Sequence, residues 1–176
     1  GIRRGETLVS MNAQRVIDVI DYQYFAAMQD VVLETTDAKG RSHRYEIHKQ
    51  VWENLGLIFE DALMDEVRCC ANHCIFCFIA QMPPNMRETL YVRDDDWRMS
   101  LMMGNYITLT NVSDREFARI LARHVSPLYI SVHATDPAVR CKMMNNPNAG
   151  NILSRLNQLA QNGTRFHCQI VLCPGY

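Results

Sequence analysis

The sequence predicts an α/β protein in two parts: a small mixed α+β module over residues 1–60, then the first part of a partial (β/α) barrel over 61–176. Three observations carry this. The first part is made of short strand-like stretches punctuated by turn residues. The second alternates strand, helix, strand, helix, strand, the pattern of parallel βαβ units. Between them, "VRCCANHCIFCFIAQMPP" places four of the seven cysteines within nine residues.

The elements follow in order. "TLVSM" is a strand ended by the turn residues Asn12, Ala13 and Gln14. "DVIDYQYFAAM" supplies a helix facing inward through Val19, Ile20 and Tyr24, and "DVVLETT" and "RYEIH" pair as a hairpin through Lys39-Gly40. The boundary falls in "GLIFEDALMD", and "DEVRC" is a short strand leading into the cysteines. "YITLT" reads as a buried strand. In "SDREFARILARH", Ser113 and Glu116 have capping-box spacing, with Phe117, Ile120 and Leu121 on one face. "PLYISV" is the next strand, Asp136-Pro137 opens a short helix, and "NILSRLNQLAQNG" forms another with Ile152, Leu153, Leu156 and Leu159 inward. "FHCQIVLC" completes the set. Ligands of parallel units sit beyond the carboxyl ends of the strands, which puts Thr110, Asn111, His133 and Pro174-Gly175 on one rim. These strands are fewer than a closed eight-stranded barrel needs, so the barrel is expected to be incomplete at its C-terminus.

Composition narrows the function. With 48% hydrophobic and 21% charged residues the chain is globular, and its formal charge of -1 gives no field to draw it onto nucleic acid or an anionic membrane. No apolar run approaches the roughly 20 residues that span a bilayer, and "GIRRGETLVS" lacks a signal-peptide core, so a cytoplasmic location is expected. There thiols stay reduced, and a tight cysteine group binds metal or does redox work. The chain begins at glycine and ends directly after an apolar run; both ends look cut.

Cys70, Cys74 and Cys77 form CxxxCxxC, with Cys69 immediately beside the first. Three thiolates on one loop can hold three irons of a cubane cluster and leave the fourth open to a small chelating molecule. A structural zinc site wants four closed ligands and would have to recruit Cys69, His73 or Cys141. A thioredoxin-like couple would use Cys74 and Cys77 and leave Cys70 unexplained. The cluster is the favoured reading.

CxxxCxxC after an early strand, with Phe76 directly before the last cysteine, resembles the radical S-adenosylmethionine (SAM) enzymes. More narrowly, "CIFCFIAQMP", "RETLYVRDDDWRMSLMMGNYITLTN", "SPLYISVHAT" and "QIVLCPG" resemble a bacterial family of iron–sulfur oxidoreductases. In that family a PDZ-like domain precedes the radical SAM core and a domain of unknown function follows it. Residues 1–60 resemble a truncated PDZ-like domain, and 61–176 the N-terminal part of the core, so the chain is similar to an internal fragment. The first strand and carboxylate-receiving loop of a PDZ domain have no counterpart here, although a peptide or protein partner through this region is part of what the resemblance implies.

The resemblance implies that Cys70, Cys74 and Cys77 hold a 4Fe-4S cluster whose open iron is chelated by SAM. An electron, from a donor such as a ferredoxin or flavodoxin, would then split SAM into methionine and a 5'-deoxyadenosyl radical. It further implies that Phe76 packs near the adenine, unless it only shields the cluster. The Gly-Gly-Glu run that meets the SAM amino group elsewhere in the superfamily is absent; Thr110 and Asn111 take its rim position and are the candidates. His133 is a candidate for SAM or substrate, against the alternative of a histidine satisfied by backbone. No catalytic residue is assigned. Because later strands help hold SAM in the superfamily, the segment alone is not expected to turn over. The competing reading is a non-enzymatic interaction module with a structural zinc site.

Other features have plainer readings. Asp94, Asp95 and Asp96 in "RDDDWR" could hold a hard cation, but adjacent side chains diverge, which favours a solvated, salt-bridged or capping loop. Met99, Met102 and Met103 would fill core or line a cavity. Cys69, Cys141, Cys168 and Cys173 are expected outside the site.

Overall fold

The computed structural model describes every residue, Gly1–Tyr176. The chain is a mixed α/β protein and forms two compact units, Gly1–Glu66 and Val67–Tyr176.

The first unit is a four-stranded antiparallel sheet with strands β1 (Thr7–Met11), β2 (Gln14–Arg15), β3 (Asp30–Thr36) and β4 (Ser42–His48) in the order β2-β1-β3-β4. Asn12 and Ala13, both left-handed at φ 48° and 60°, make the two-residue turn between β1 and β2. In the β3–β4 turn the Asp37 carboxylate accepts from the backbone N–H groups of Lys39 and Arg41 at 2.9 and 3.0 Å. Helix α1 (Val19–Ala26) starts at Asp18, whose side chain accepts from the amide of Ile20 at 3.0 Å. Tyr24, expected inward, is exposed; Phe25 takes the inner position and joins Met11, Val16, Val31 and Leu33 in the core. Leu55, Leu57 and Met64 pack against the same cluster.

The second unit contains helices α2 (Trp97–Met103), α3 (Asp114–Ala122), α4 (Pro137–Met144) and α5 (Ile152–Gln161), and strands β5 (Leu128–Ser131) and β6 (Phe166–Gln169). β5 and β6 pair in parallel, and α4 and α5 lie between them in sequence, so this stretch is a βαβ unit. Helices α3 and α4 begin at Ser113 and Asp136, whose side chains accept from the amides of Glu116 and Val139 at 3.3 and 2.9 Å. Trp97, Ile107, Ile120, Leu128, Ile130, Met144, Ile152 and Leu159 form the apolar interior.

Four sequence expectations change here. "YITLT" is not a strand: only Ile107 bridges Ile130, because the Thr108 amide donates to the Asp95 carboxylate at 2.5 Å and Leu109 turns left-handed at φ 62°. "DEVRC" contributes one antiparallel bridge, Cys69 to Asp94, secured by Cys70 N–H to Arg93 O at 2.7 Å and Asp95 N–H to Arg68 O at 2.9 Å. In "FHCQIVLC", pairing stops at Gln169. On α5, Leu153 is exposed and Arg155 occupies the buried face, where it donates to the carbonyls of Leu109 and Val112 at 2.8 and 2.7 Å.

Helix α2 is not among the elements expected from the sequence; it follows directly on the aspartate run read as a loop. Asp96 accepts from the Arg98 amide at 3.0 Å and starts the helix, and Gly104, left-handed at φ 79°, ends it against the ring of Tyr129. Met102 and Met103 lie on its exposed face.

Candidate metal centre

The cysteine loop has little regular structure, so its shape depends on where its backbone bonds go. The last carbonyls of a helix lack intrahelical partners. Those of α4 are used here: Met144 O accepts from His73 N–H at 3.0 Å and Met143 O from Ile75 N–H at 2.9 Å. The Cys70 amide is held by Arg93 O, and the Arg93 guanidinium donates to Asn72 O. Cys77 N–H closes a turn on Cys74 O at 3.1 Å. Cys70, Cys74 and Cys77 are thus three free, half-buried thiols on one pinned loop, while Cys69 is free and exposed.

The Cys74 thiol is pushed up to about 11, by burial first and then by the neighbouring Cys70 and Cys77. Its ionisation is opposed by the surroundings and by the other two sulfurs. A cation bound among them removes that penalty.

At the middle of the loop Asn72 is fully buried and bonded to Thr108, Thr110 and Asn146. Thr108 in turn rests on Asp95, whose carboxyl burial pushes up against the opposing pull of the Thr108 bonds. Burial also pushes Asp96 upward, but its bonds to Arg98 and the Arg68 amide outweigh this and hold it below the usual carboxylate range. Asp94 accepts from Asn105 at 2.9 Å. The aspartate run is therefore salt-bridged and capping, as favoured, but Asp95 and Asp96 are buried rather than solvated.

Phe76, Thr110, Asn111 and His133 are placed around this loop. Phe76 and His133 have ring centroids 4.3 Å apart. Asn111 donates to Cys69 O at 3.3 Å, and its own Oδ1 is buried without a hydrogen-bond partner. His133 is left-handed at φ 63°, an uncommon state for a bulky residue, and Val132 and His133 both donate their amides to Gln169 O. Its Nδ1 accepts from the Val171 amide at 3.2 Å, leaving the ring proton on Nε2. Burial, reinforced by the Arg140 charge, lowers its pKa to about 4, so the ring is neutral near pH 7. Pro174 and Gly175, expected on the same rim, lie inside the turn that Tyr176 N–H closes on Cys173 O at 3.3 Å.

Sequence reasoning missed Arg140. Fully buried on α4, its guanidinium donates to the carbonyls of Val132, Ala149, Thr108 and Ser131 at 2.8, 2.5, 2.9 and 2.9 Å. It ties α4, which carries the cysteine loop, to β5 and the 107–110 stretch. A single arginine in a short helix gives no sign of this.

A family profile described as a radical SAM-like domain matches residues 49–176. The chain belongs to the radical SAM-like family. Comparison with curated proteins and with solved structures found no match. Members of the superfamily generally use SAM and a 4Fe-4S cluster, and the chemistry of this loop fits one. No group of three or more His, Cys, Asp or Glu side chains is drawn tightly enough around one point to hold a single metal ion. A cubane makes a different demand, because each thiolate binds its own iron and the sulfurs stand apart at its corners. The CxxxCxxC loop of this radical SAM-like chain supplies three free thiols, one for each of three irons.

Proposed function

We propose that the chain is a cluster-binding radical SAM protein in which Cys70, Cys74 and Cys77 hold a 4Fe-4S cluster and SAM chelates the iron they leave open. The observation that carries this is the set of three half-buried thiols at CxxxCxxC spacing, on one loop pinned to the end of α4, inside the region matched by the family profile. When bound, the cluster supplies the electron, received from a donor such as a ferredoxin or flavodoxin, that cleaves SAM to methionine and a 5'-deoxyadenosyl radical for oxidoreductase chemistry.

The protein's own residues bind and orient. Phe76, its ring tilted against that of His133, presents an apolar face next to the last ligand, suited to an adenine ring and to excluding water. Neutral His133 offers an Nε2 proton as a hydrogen-bond donor to SAM or substrate. Asn111 Oδ1 is a buried acceptor lacking a donor, and a SAM ammonium is a donor of the right charge, with Thr110 beside it. These two residues stand in for the absent Gly-Gly-Glu run.

The test is anaerobic reconstitution with iron and sulfide. Stoichiometric iron and sulfide, with broad absorption near roughly 400 nm, supports the reading. One zinc per chain in a colourless preparation would favour the structural zinc module instead.

A further inference from the structure

We propose that Asn72 is a positioning residue that sets the reduction potential of the cluster through an N–H···S hydrogen bond to the Cys70 sulfur, an inference that rests on the cluster reading above. Asn72 sits between two proposed ligands, and its side chain is fully buried. Nδ2 stands 3.4 Å from Cys70 Sγ and 3.0 Å from Thr108 Oγ1. Oδ1 accepts from Thr110 Oγ1 at 3.0 Å and from Asn146 Nδ2 at 2.7 Å. A primary amide has two donor hydrogens and two acceptor sites, and here all four are matched.

The partners fix which end of the amide faces the sulfur. The Asn148 amide donates to Asn146 Oδ1 at 2.8 Å, so Asn146 presents its NH2 group to Asn72. Asn72 must answer with Oδ1, which turns its own NH2 toward Cys70 and Thr108. Thr108 agrees with this polarity: its hydroxyl proton goes to the Asp95 carboxylate at 2.5 Å, leaving its oxygen to accept. The amide cannot rotate without breaking bonds at both ends.

A ligand sulfur becomes more electron-rich when a cluster is reduced, so a donor aimed at it stabilises the reduced state more than the oxidised one. Burial strengthens the effect, because no water shares the bond and the local dielectric is low. Losing the bond should lower the ratio of reduced to oxidised cluster about tenfold at a fixed potential, a fall of about 59 mV for one electron.

The experiment is an anaerobic redox titration of the reconstituted chain, followed by electron paramagnetic resonance, in wild type and Asn72→Leu. Resonance Raman spectra of the iron–thiolate stretch in H2O and D2O are recorded alongside. The proposal expects a deuterium-sensitive stretch in wild type, and in the variant a lower potential with that sensitivity reduced. An assembled variant cluster with unchanged potential overturns it while leaving the cluster reading intact, as does a wild-type stretch indifferent to deuterium. Failure of wild type to bind iron and sulfide overturns the cluster reading, and this proposal with it. Because Asn72→Leu strands the Thr110 hydroxyl, the variant with Asn72→Leu and Thr110→Val combined removes that partner, leaves Asn146 to accept from the Asn148 amide, and carries the same measurement.

Discussion

Cys69 and Cys70 are neighbours with the same chemistry, and the backbone gives them different surroundings. Cys70 has its amide on Arg93 O and its sulfur beside the Asn72 amide, whereas Cys69 is exposed, its sulfur 4.0 Å from Val67 O. Alanine at Cys70, Cys74 or Cys77 should abolish iron binding, and Cys69→Ala should leave iron content unchanged; elemental analysis of purified protein checks both. His133 makes a separate prediction. Above pH 6.5 its ring is neutral folded and unfolded and contributes nothing; between 6.5 and about 4 the unfolded chain takes up a proton that the folded chain refuses. Stability should therefore fall as pH drops through that window, by at most about 3 kcal/mol, and level off below it. Urea midpoints at several pH values should show a shallower decline in His133→Gln. The motif cysteines were legible because their spacing is local. Asn72 was not, because its role depends on Thr108, Thr110 and Asn146, which are distant in sequence.

Among the elements, α4 does most to place the loop, through its terminal carbonyls and through Arg140. Replacing Arg140 with Met takes a donor from four carbonyls, of which Val132 O keeps the Ala134 amide, and should cost about 3 kcal/mol or more by urea unfolding. Lysine should recover little of this, since a point charge cannot reproduce a fork that serves several carbonyls at once. Asp136→Ala removes the N-cap of the same helix and should cost about 1 kcal/mol in the same assay. Helices α3, α4 and α5 were legible from cap residues and apolar spacing. The strand expected at "YITLT" failed because a side chain, Asp95, takes the Thr108 amide that a neighbouring strand would have bonded. No local pattern encodes that competition. Helix α2 was hidden for a related reason: its N-cap is one of three consecutive aspartates, which read as a charged loop until two of them are buried.

At the scale of the molecule, two compact units meet the family profile unevenly. The match begins at residue 49, yet Leu55, Leu57 and Met64 pack on the core of the first unit, and the division falls at Glu66 and Val67. Ile58 is 96% exposed in a stretch without helix or strand. Limited proteolysis should cut between Ile58 and Glu66 and leave Val67–Tyr176 as a resistant core; simultaneous loss of both halves would count against two units. The α/β class and helices α1, α3, α4 and α5 were readable from caps and periodicity, while sheet closure was not, since pairing depends on contacts between distant segments. No helix is long and apolar enough to cross a membrane. The central claim is that three thiolates leave one iron open for SAM. Electron paramagnetic resonance of the reduced, reconstituted chain tests it most directly. The expected result is about four irons and four sulfides per chain with a reduced-cluster signal that changes on adding SAM; a four-iron signal indifferent to SAM, or no cluster at all, would contradict it.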